Sequence, residues 1–471
     1  MRSTFFGLEI GRTALQAQQR ALDVTGHNIA NANTPGYTRQ DAVTSATTPY
    51  AMPGLNKPNT PGQVGTGVQV DEIRRLRDAF IDTQIRTEAK TTGFWESNQD
   101  ALKKLEVIFN EPSNAGLRTV MDQFWSGLQE LSKNPESKSV RAVVSQRGIA
   151  LADTFNHLDR QLTELQVDTD SNVRIKINEV NNSASQVAQL NNQIIFIEST
   201  GDKANDLRDK RDLLVDQLSK IVNLSTVEEK NGSLTLAISG RVLVSGKNNY
   251  AIQAVNSPPN GYAAIQWAAD NTNVLIQSGT LKGLVDVRDI TVNNYIGNMN
   301  TLASTLATQT NALHRTGRTL NGLGASNIDF FEPEPGATAK NIKVSAAVLA
   351  SENNIAAASQ DSAPGDGSNA LAMAQLKHSN ILAGGNLDDY FRGITGKLGV
   401  DSQAATRMVD NQGILESELQ NRRQALSGVS LDEEMTNMIR FQHGYNAAAR
   451  VVTVMDEILD VIVNRLGTFG R

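Results

Sequence analysis

The sequence predicts a mainly α protein with a small inserted β domain, built from a terminal α-helical coiled coil, a rod or bundle of long helices and an outward β domain. Three observations predict this class. Apolar residues recur at every seventh position near both ends of the chain. The stretch from Ala150 to Thr200 contains neither proline nor glycine, and strand-like alternation is confined to one internal region.

The first element is an amphipathic helix with a narrow apolar stripe. Small or polar residues, such as Gly11 and Gln18, separate the stripe positions. A narrow stripe of this kind packs as a coiled coil rather than on a broad core. The stripe consists of Leu8, Leu15, Leu22 and Ile29.

The longest predicted helix begins at Asn134–Pro135, a cap followed by proline at the first helical position. At 1.5 Å per residue, some 60 residues would form a rod roughly 90 Å long. Further helices are predicted over 205–221, 281–313 and 387–426. The heptad positions of the long helix are Val144, Leu151, Leu158 and Leu165, then, after one phase slip, Val173, Val180, Val187 and Ile194.

The β domain is predicted between about residues 223 and 278. There Asn231–Gly232 is a strong hairpin signal between two short apolar runs. The stretch 317–369 is predicted to be irregular, with 342–344 as a short strand candidate. The predicted division is an N-terminal coiled-coil segment and extended linker (1–70), a helical rod domain in two parts (71–222 and 280–427), the β domain (223–279) and a C-terminal coiled-coil segment (428–471).

The last element is a second amphipathic helix. Ser430 and Glu433 form a capping box at its start, and Gly428 ends the preceding helix. Its stripe consists of Leu431, Met438, Tyr445, Val452, Leu459 and Leu466. We expect both terminal stripes to lie in contacts between subunits, because a lone helix pair of this composition is marginally stable.

Composition excludes several function classes. The chain has 471 residues, a net charge of −6, five histidines and no cysteine. The acidic balance argues against nucleic-acid binding, and the absence of cysteine removes disulfides, thiol nucleophiles and thiolate metal sites. The sequence contains no run of 18 apolar residues, so we predict no membrane-spanning segment, and we recognise no secretory leader. With 5% aromatic residues, we expect little dense core and mostly long, thin elements.

Two near-matches to ligand loops have simpler interpretations. The segment 168–179 is similar to a calcium loop but has Val173 at the glycine position, and it continues the long helix. The segment 240–248 is similar to a phosphate loop but has Asn248 at the magnesium position, and it reads as a hairpin turn. The five histidines form no ligand-spaced pair. We therefore predict no catalytic, metal-binding or cofactor-binding residues and no enzymatic activity.

A polar motif ends the first helix. Pro35 and Gly36 stop the helix, and the asparagines can cap it locally. The motif comprises Asn28, Asn31, Asn33, Thr34, Pro35, Gly36 and Tyr37. It resembles the N-terminal signature of the flagellar rod, hook and hook-associated axial proteins. The segments 65–80, 283–289, 329–331 and 427–445 extend the resemblance, and the last is similar to members found at the hook–filament junction. After Phe331, about fifty irregular residues stand where larger relatives carry a further β-rich domain.

The resemblance implies a structural adaptor that self-assembles at the hook–filament junction and connects the hook to the filament. It implies export by the flagellar type III apparatus, hence a secreted protein of the extracellular flagellum. The implied partners are the hook protein, a second junction protein, copies of the chain in a ring-like layer, and a cytoplasmic export chaperone. The chaperone site would lie on Leu431, Met435, Met438, Tyr445 and Val452. The alternative is another secreted coiled-coil binding protein, a type III effector or adhesin, with the β domain as its binding head.

Overall fold

A computed structural model of the chain describes residues 5–48, 65–109, 116–322, 324–383 and 385–465. The fold is mainly helical with small sheets, as the sequence predicts. The α-helices are α1 (Phe6–Asn31), α2 (Ala79–Phe109), α3 (Leu117–Lys133), α4 (Lys138–Glu198), α5 (Asn205–Ile221), α6 (Thr280–Asp286), α7 (Val292–Thr316), α8 (Ala346–Ala350), α9 (Ser368–Gln375), α10 (Leu387–Ser427) and α11 (Leu431–Asp460). The strands are β1 (Gln40–Ala46), β2 (Val68–Arg75), β3 (Leu224–Glu228), β4 (Leu234–Ile238), β5 (Arg241–Ser245), β6 (Asn248–Asn249), β7 (Ile252–Ser257), β8 (Tyr262–Trp267), β9 (Phe331–Glu332) and β10 (Lys343–Val344).

The long helix α4 is continuous over 61 residues, and at 1.5 Å per residue it is roughly 90 Å long. Its N-cap is Ser137, whose hydroxyl accepts from the Val140 N–H. The predicted cap at Asn134 is wrong, because the Asn134 N–H instead closes the end of α3 on the Glu130 carbonyl. Leu165, Thr169 and Val173 are all buried, so the helix keeps its buried face across the phase slip of the heptads.

The main hydrophobic core is denser than the composition predicts. Helices α2, α3, α4, α7 and α10 enclose it, and the segment 317–369 packs into it although it is largely irregular. Asn311 anchors that segment by accepting from the N–H groups of Phe330 and Phe331 and donating to the Phe331 carbonyl. The few aromatic residues are concentrated here: Phe109, Phe124, Trp125, Phe155, Tyr295, Phe330, Phe331 and Phe391.

The β region packs on the second half of α4. Strands β3, β4, β5 and β6 form one sheet in that order, and β7 pairs with β8. Asn191 of α4 bridges β4 and the β5–β6 turn, accepting from the Leu234 N–H and donating to the carbonyls of Leu234 and Gly246. At the predicted hairpin, Gly232 has a φ of +82°, a conformation that favours glycine.

Outside residues 223–278 the sequence predicts a strand only at 342–344, which β10 confirms, and it does not predict β1, β2 or β9. β1 and β2 form an antiparallel pair from Gln40–Arg75 to Ala46–Val68, and β9 pairs with β10. β1 and β2 have weak apolar alternation, and besides α1 their hairpin makes polar contacts with α5 through Gln40, Ile73 and Arg75. A segment predicted to be an extended linker therefore contains paired strands.

Candidate assembly surface at the terminal helices

The two terminal helices pack together through small residues. α1 and α11 are antiparallel: Gly7 lies against Met455 and Gly11 against Val452, while Asn28 meets Glu434 at the other end. A Cβ atom added to Gly11 would lie 2.7 Å from Val452 Cγ2, so the helices approach more closely than alanine would allow. The buried residues of α1 are Gly11, Ala17, Ala21, Val24, Thr25 and Asn28. We call this α1–α11 contact the seam.

The predicted stripe residues lie beside the small residues of the seam, and one of them, Val452, lies within it against Gly11. Leu8, Leu15, Leu22 and Ile29 are half-buried, as are Met438, Val452 and Leu459. Leu431, Met435 and Tyr445 are exposed, and Leu466 lies outside the described residues. Their assignment to contacts between subunits, or to a chaperone, stays a prediction.

Large apolar side chains remain uncovered on α11. They are exposed by 37–71% and comprise Leu431, Met435, Ile439, Tyr445, Val451, Val454 and Ile458 of α11, followed by Val461, Ile462 and Val463 in the π-helical turn after it. Clusters of exposed apolar side chains are typical of interaction sites. The seam of the helix pair is therefore closed, while apolar side chains on the rest of α11 stay exposed.

Asn28, a residue of the signature motif, is the buried joint between the seam and the rest of the chain. Its Nδ2 donates to the Gln40 carbonyl (2.9 Å) and to Glu434 (3.2 Å). Its Oδ1 accepts from the Gln40 N–H (3.0 Å) and from the Tyr37 hydroxyl (2.8 Å). Because an amide offers two donors and two acceptor sites, Asn28 uses its full capacity to join α1, β1 and α11.

The other signature residues shape the turn after α1. Asn31 donates to the His27 carbonyl (3.0 Å), and Thr34 donates to Asn31 Oδ1 (3.2 Å). Gly36 has a φ of +79° and comes close to Leu213 of α5. Burial, together with the carboxylates of Asp206, Asp209 and Glu434, raises the pKa of Tyr37. Asn33, Thr34, Pro35 and Gly36 are exposed.

Arg39 adds an ionic contact to the same joint. Its Nη1 lies 2.7 Å from Glu433 and its Nε 2.7 Å from the buried Glu434. Burial works against the charged form of Arg39, but the two glutamates outweigh it and raise the pKa of Arg39. From the sequence alone, the two glutamates are only acidic residues at the start of a helix. No sequence pattern indicates that they pair with Arg39, almost 400 residues away.

A buried arginine–aspartate cluster ties the joint to the rod helices. Arg75 of β2 lies 2.7 Å from Asp209 and 2.8 Å from Asp212 of α5. Arg77 lies 2.8 Å from Asp212. Burial opposes the charge on Asp212, yet Arg77 and Arg75 prevail and lower its pKa. The cluster links β2, α2, α5 and α10 and comprises Arg75, Arg77, Arg86, Arg423, Asp82, Asp209, Asp212 and Asp216.

The ligand loops considered from sequence have structural roles. The segment 168–179 lies within α4, where Asp170 pairs with Arg174 and Arg288. The segment 240–248 forms β5 and the turn to β6. Within the described ranges, no group of three or more His, Cys, Asp or Glu side chains is arranged to hold a metal ion. No helix in those ranges is long and apolar enough to cross a membrane.

Comparison with known proteins matches three family models. Residues 8–38 match the flagella basal body rod protein family, and residues 102–331 match the flagellar hook-associated protein FlgK helical domain. Residues 422–466 match the flagellar basal body rod FlgEFG protein C-terminal family. The first and last matches therefore include the helices that form the seam.

Full-length relatives and a solved structure agree with these matches. The chain is 37% identical to flagellar hook-associated protein 1 of Bacillus subtilis (strain 168), over all of both chains. It is 24% identical to flagellar hook-associated protein 1 of Escherichia coli (strain K12), over 96% of this chain and 98% of that one. The flagellar hook junction protein FlgK from Burkholderia pseudomallei shares the fold, with a TM-score of 0.64 and 16% identity, over 74% of this chain and 100% of that one.

Proposed function

The chain belongs to the flagellar hook-associated protein 1 family, and from this premise we propose that the α1–α11 pair is the part through which it assembles with other subunits. It is a structural protein of the flagellar hook–filament junction. The observation that carries the proposal is the uncovered apolar surface of α11, beside a seam that is already closed by small residues.

Assembly would be driven by removing this surface from water. Burying apolar area contributes roughly 25 cal/mol per Å², and the apolar side chains of α11 that are exposed in the single chain would supply that area. Half-buried stripe residues of α1, such as Leu8 and Leu15, would then pack against neighbouring copies. Supporting this, they are half-buried in the single chain and have area left to lose.

The joint would fix the direction in which the rod helices leave the assembled core. Asn28 and Arg39 bind the seam to β1, and the arginine–aspartate cluster binds β2 to α5 and α10. A stiff connection of this kind suits an adaptor between a flexible hook and a rigid filament. The proposed partners are the hook protein on one side, a second junction protein on the other, and further copies of the chain.

The proposal includes the route by which the chain reaches its site. It would be secreted through the flagellar type III apparatus, with a cytoplasmic chaperone gripping the exposed face of α11 around Met435. Its place in the extracellular flagellum follows from that route. The relatives do not favour the alternative of an effector or adhesin.

Electron microscopy of a strain lacking the gene tests the proposed function. We expect hooks without filaments and loss of swimming, both restored when the full chain is supplied. A chain without residues 428–471 should be produced at normal levels but fail to restore filaments. Filaments on the hooks of the deletion strain would contradict the proposal, and unchanged motility would favour the effector or adhesin.

A further inference from the structure

The exposed apolar residues of α11 lie on two opposite flanks of the seam. In the first half of the helix they come one residue after seam-side residues: Met435 follows Glu434, and Ile439 follows Met438. Each residue turns a helix by about 100°, so these side chains lie to one side of the seam. With Leu431, four residues before Met435, they form the first patch, exposed by 49–57%.

In the second half of α11 the order is reversed. Val451 precedes Val452, Val454 precedes Met455, and Ile458 precedes Leu459. These side chains therefore point to the opposite flank. With Val461 they form the second patch, exposed by 42–51%.

We propose that the first patch of one copy packs against the second patch of the next copy, so that neighbouring copies bind head-to-tail. This rests on the proposed function. A junction with the hook on one side and the filament on the other is polar, so neighbouring copies run in the same direction. A two-fold contact, which joins like patches, would reverse every second copy. Two unlike patches on opposite flanks give each copy both halves of a head-to-tail contact.

The register of this contact follows from the sequence. Nineteen residues separate Met435 from Val454 and Ile439 from Ile458, so one offset aligns both pairs. Exposed Asp432 and exposed Arg450, which have opposite charges, are 18 residues apart and so come within one residue of each other at this offset. At 1.5 Å per residue, neighbouring copies are displaced by roughly 28 Å along the helix axis.

The β1–β2 hairpin explains why the contact is displaced rather than level. Next to the first half of α11, the flank that carries the second patch further along is occupied by β1. There Gln40 and Ala42 line a cleft with Asn437 and Arg440. A neighbour at the same height would place its first patch against this polar hairpin. A displaced neighbour instead reaches apolar surface.

The absence of cysteine from the chain allows a direct cross-linking test. Cells would carry Met435→Cys and Val454→Cys, singly or together, in place of the wild-type chain, and isolated hook–filament structures would be oxidised. We expect a ladder of cross-linked chains from the double variant and only monomers from either single variant. The double variant Met435→Cys with Ile175→Cys, whose second site is exposed on α4, is the control and should give no ladder.

Cross-linked dimers from Met435→Cys alone would show a two-fold contact and overturn the inference. A double variant that is incorporated without forming a ladder would also overturn it, while leaving the proposed function intact. Absence of every variant and of the wild-type chain from the isolated structures would overturn the proposed function, and the inference with it. Asp432→Arg added to the double cysteine variant should weaken the ladder, and Arg450→Asp added as well should restore it.

Discussion

Asn28, in the last turns of α1, donates from Nδ2 to the carboxylate of Glu434, in the first turn of α11, across 3.2 Å and 406 residues of chain. The contact brings the two ends of the sequence together at one buried point. Tyr37, Gln40 and Arg39 converge on the same two side chains. The joint therefore depends on the hydrogen-bonding geometry of a single neutral amide group.

Replacing Asn28 by alanine should lower the free energy of unfolding by about 1–3 kcal/mol, because the buried Gln40 N–H and carbonyl lose their partners. Asn28→Asp should cost at least as much, since it places a carboxylate against Glu434. Urea denaturation followed by circular dichroism measures both. Asn33→Ala is the matched control at an exposed signature position and should change stability by less than about 0.5 kcal/mol. Equal effects at the two positions would refute the role of Asn28.

Two glycines of α1 should respond oppositely to alanine. Gly11→Ala places a Cβ 2.7 Å from Val452 Cγ2 and should force the seam apart, reducing the filament-bearing fraction of hooks. Gly26 is in the same helix and has open space around it, so Gly26→Ala should preserve filaments and favour the helix by roughly 0.5–1 kcal/mol. Electron microscopy of cells carrying each variant measures the difference. The close packing of the seam would be disproved if Gly11→Ala cells made filaments as well as Gly26→Ala cells.

Elements with one clear apolar stripe could be predicted from sequence. α5 spans the predicted 205–221, and α4 and α10 lie within a few residues of their predicted ranges. The sequence pattern does not predict α2, because this helix packs on α10 along one face and on α5 and α6 along others and so has no single apolar stripe. β1 and β2 are not predicted for a related reason: most of their residues are exposed or half-buried, so neither strand has a clear apolar alternation.

The candidate site was predicted only in outline. Heptad leucines indicate which helices pair, but the close approach of the seam is at Gly7 and Gly11, which apolar periodicity does not mark. The signature pointed to Asn28 but not to its partners Gln40 and Glu434, because hydrogen bonds between distant residues leave no local pattern. No sequence pattern predicts the arginine–aspartate cluster either, since its members come from separate elements of the chain.

Neutralising Asp212 should strongly destabilise the chain. Its carboxylate accepts from Arg75 and Arg77 in a buried site, and Asp212→Asn would leave those guanidinium groups without one of their counter-charges. Breaking a buried ion pair costs about 3–5 kcal/mol. Asp41→Asn removes the half-exposed partner of Arg74, 3.6 Å away, and should cost less than about 1 kcal/mol. Similar denaturation midpoints for the two variants would contradict the importance of the cluster.

His314 should make stability depend on pH. Its Nδ1 donates to the Ile328 carbonyl (2.7 Å) and its Nε2 accepts from the Ala356 N–H (3.0 Å), an arrangement that requires the neutral ring. Burial lowers the pKa of His314 to about 4, below its ordinary value of 6.5. Below pH 6.5 the unfolded chain binds a proton that the folded chain does not. The free energy of unfolding therefore has its full value above pH 6.5 and falls by about 3 kcal/mol as the pH drops towards 4.

The histidine effect is isolated by comparing the wild type with His314→Gln. Carboxylates also titrate between pH 4 and 6.5, but they do so in both proteins. Urea midpoints measured across this range should fall more steeply in the wild type than in His314→Gln. Parallel curves would rule out a buried neutral histidine.

The filament-bearing fraction of hooks in cells that carry Val452→Asp in place of the wild-type chain tests the central claim most directly. Val452 lies in the seam against Gly11, and a carboxylate there opposes closure of the helix pair through which the chain assembles. The control is Val227→Asp, at an exposed position on β3. We predict hooks without filaments for Val452→Asp at normal chain levels, and normal filaments for Val227→Asp. Normal filaments in Val452→Asp cells would contradict assembly through the terminal helix pair.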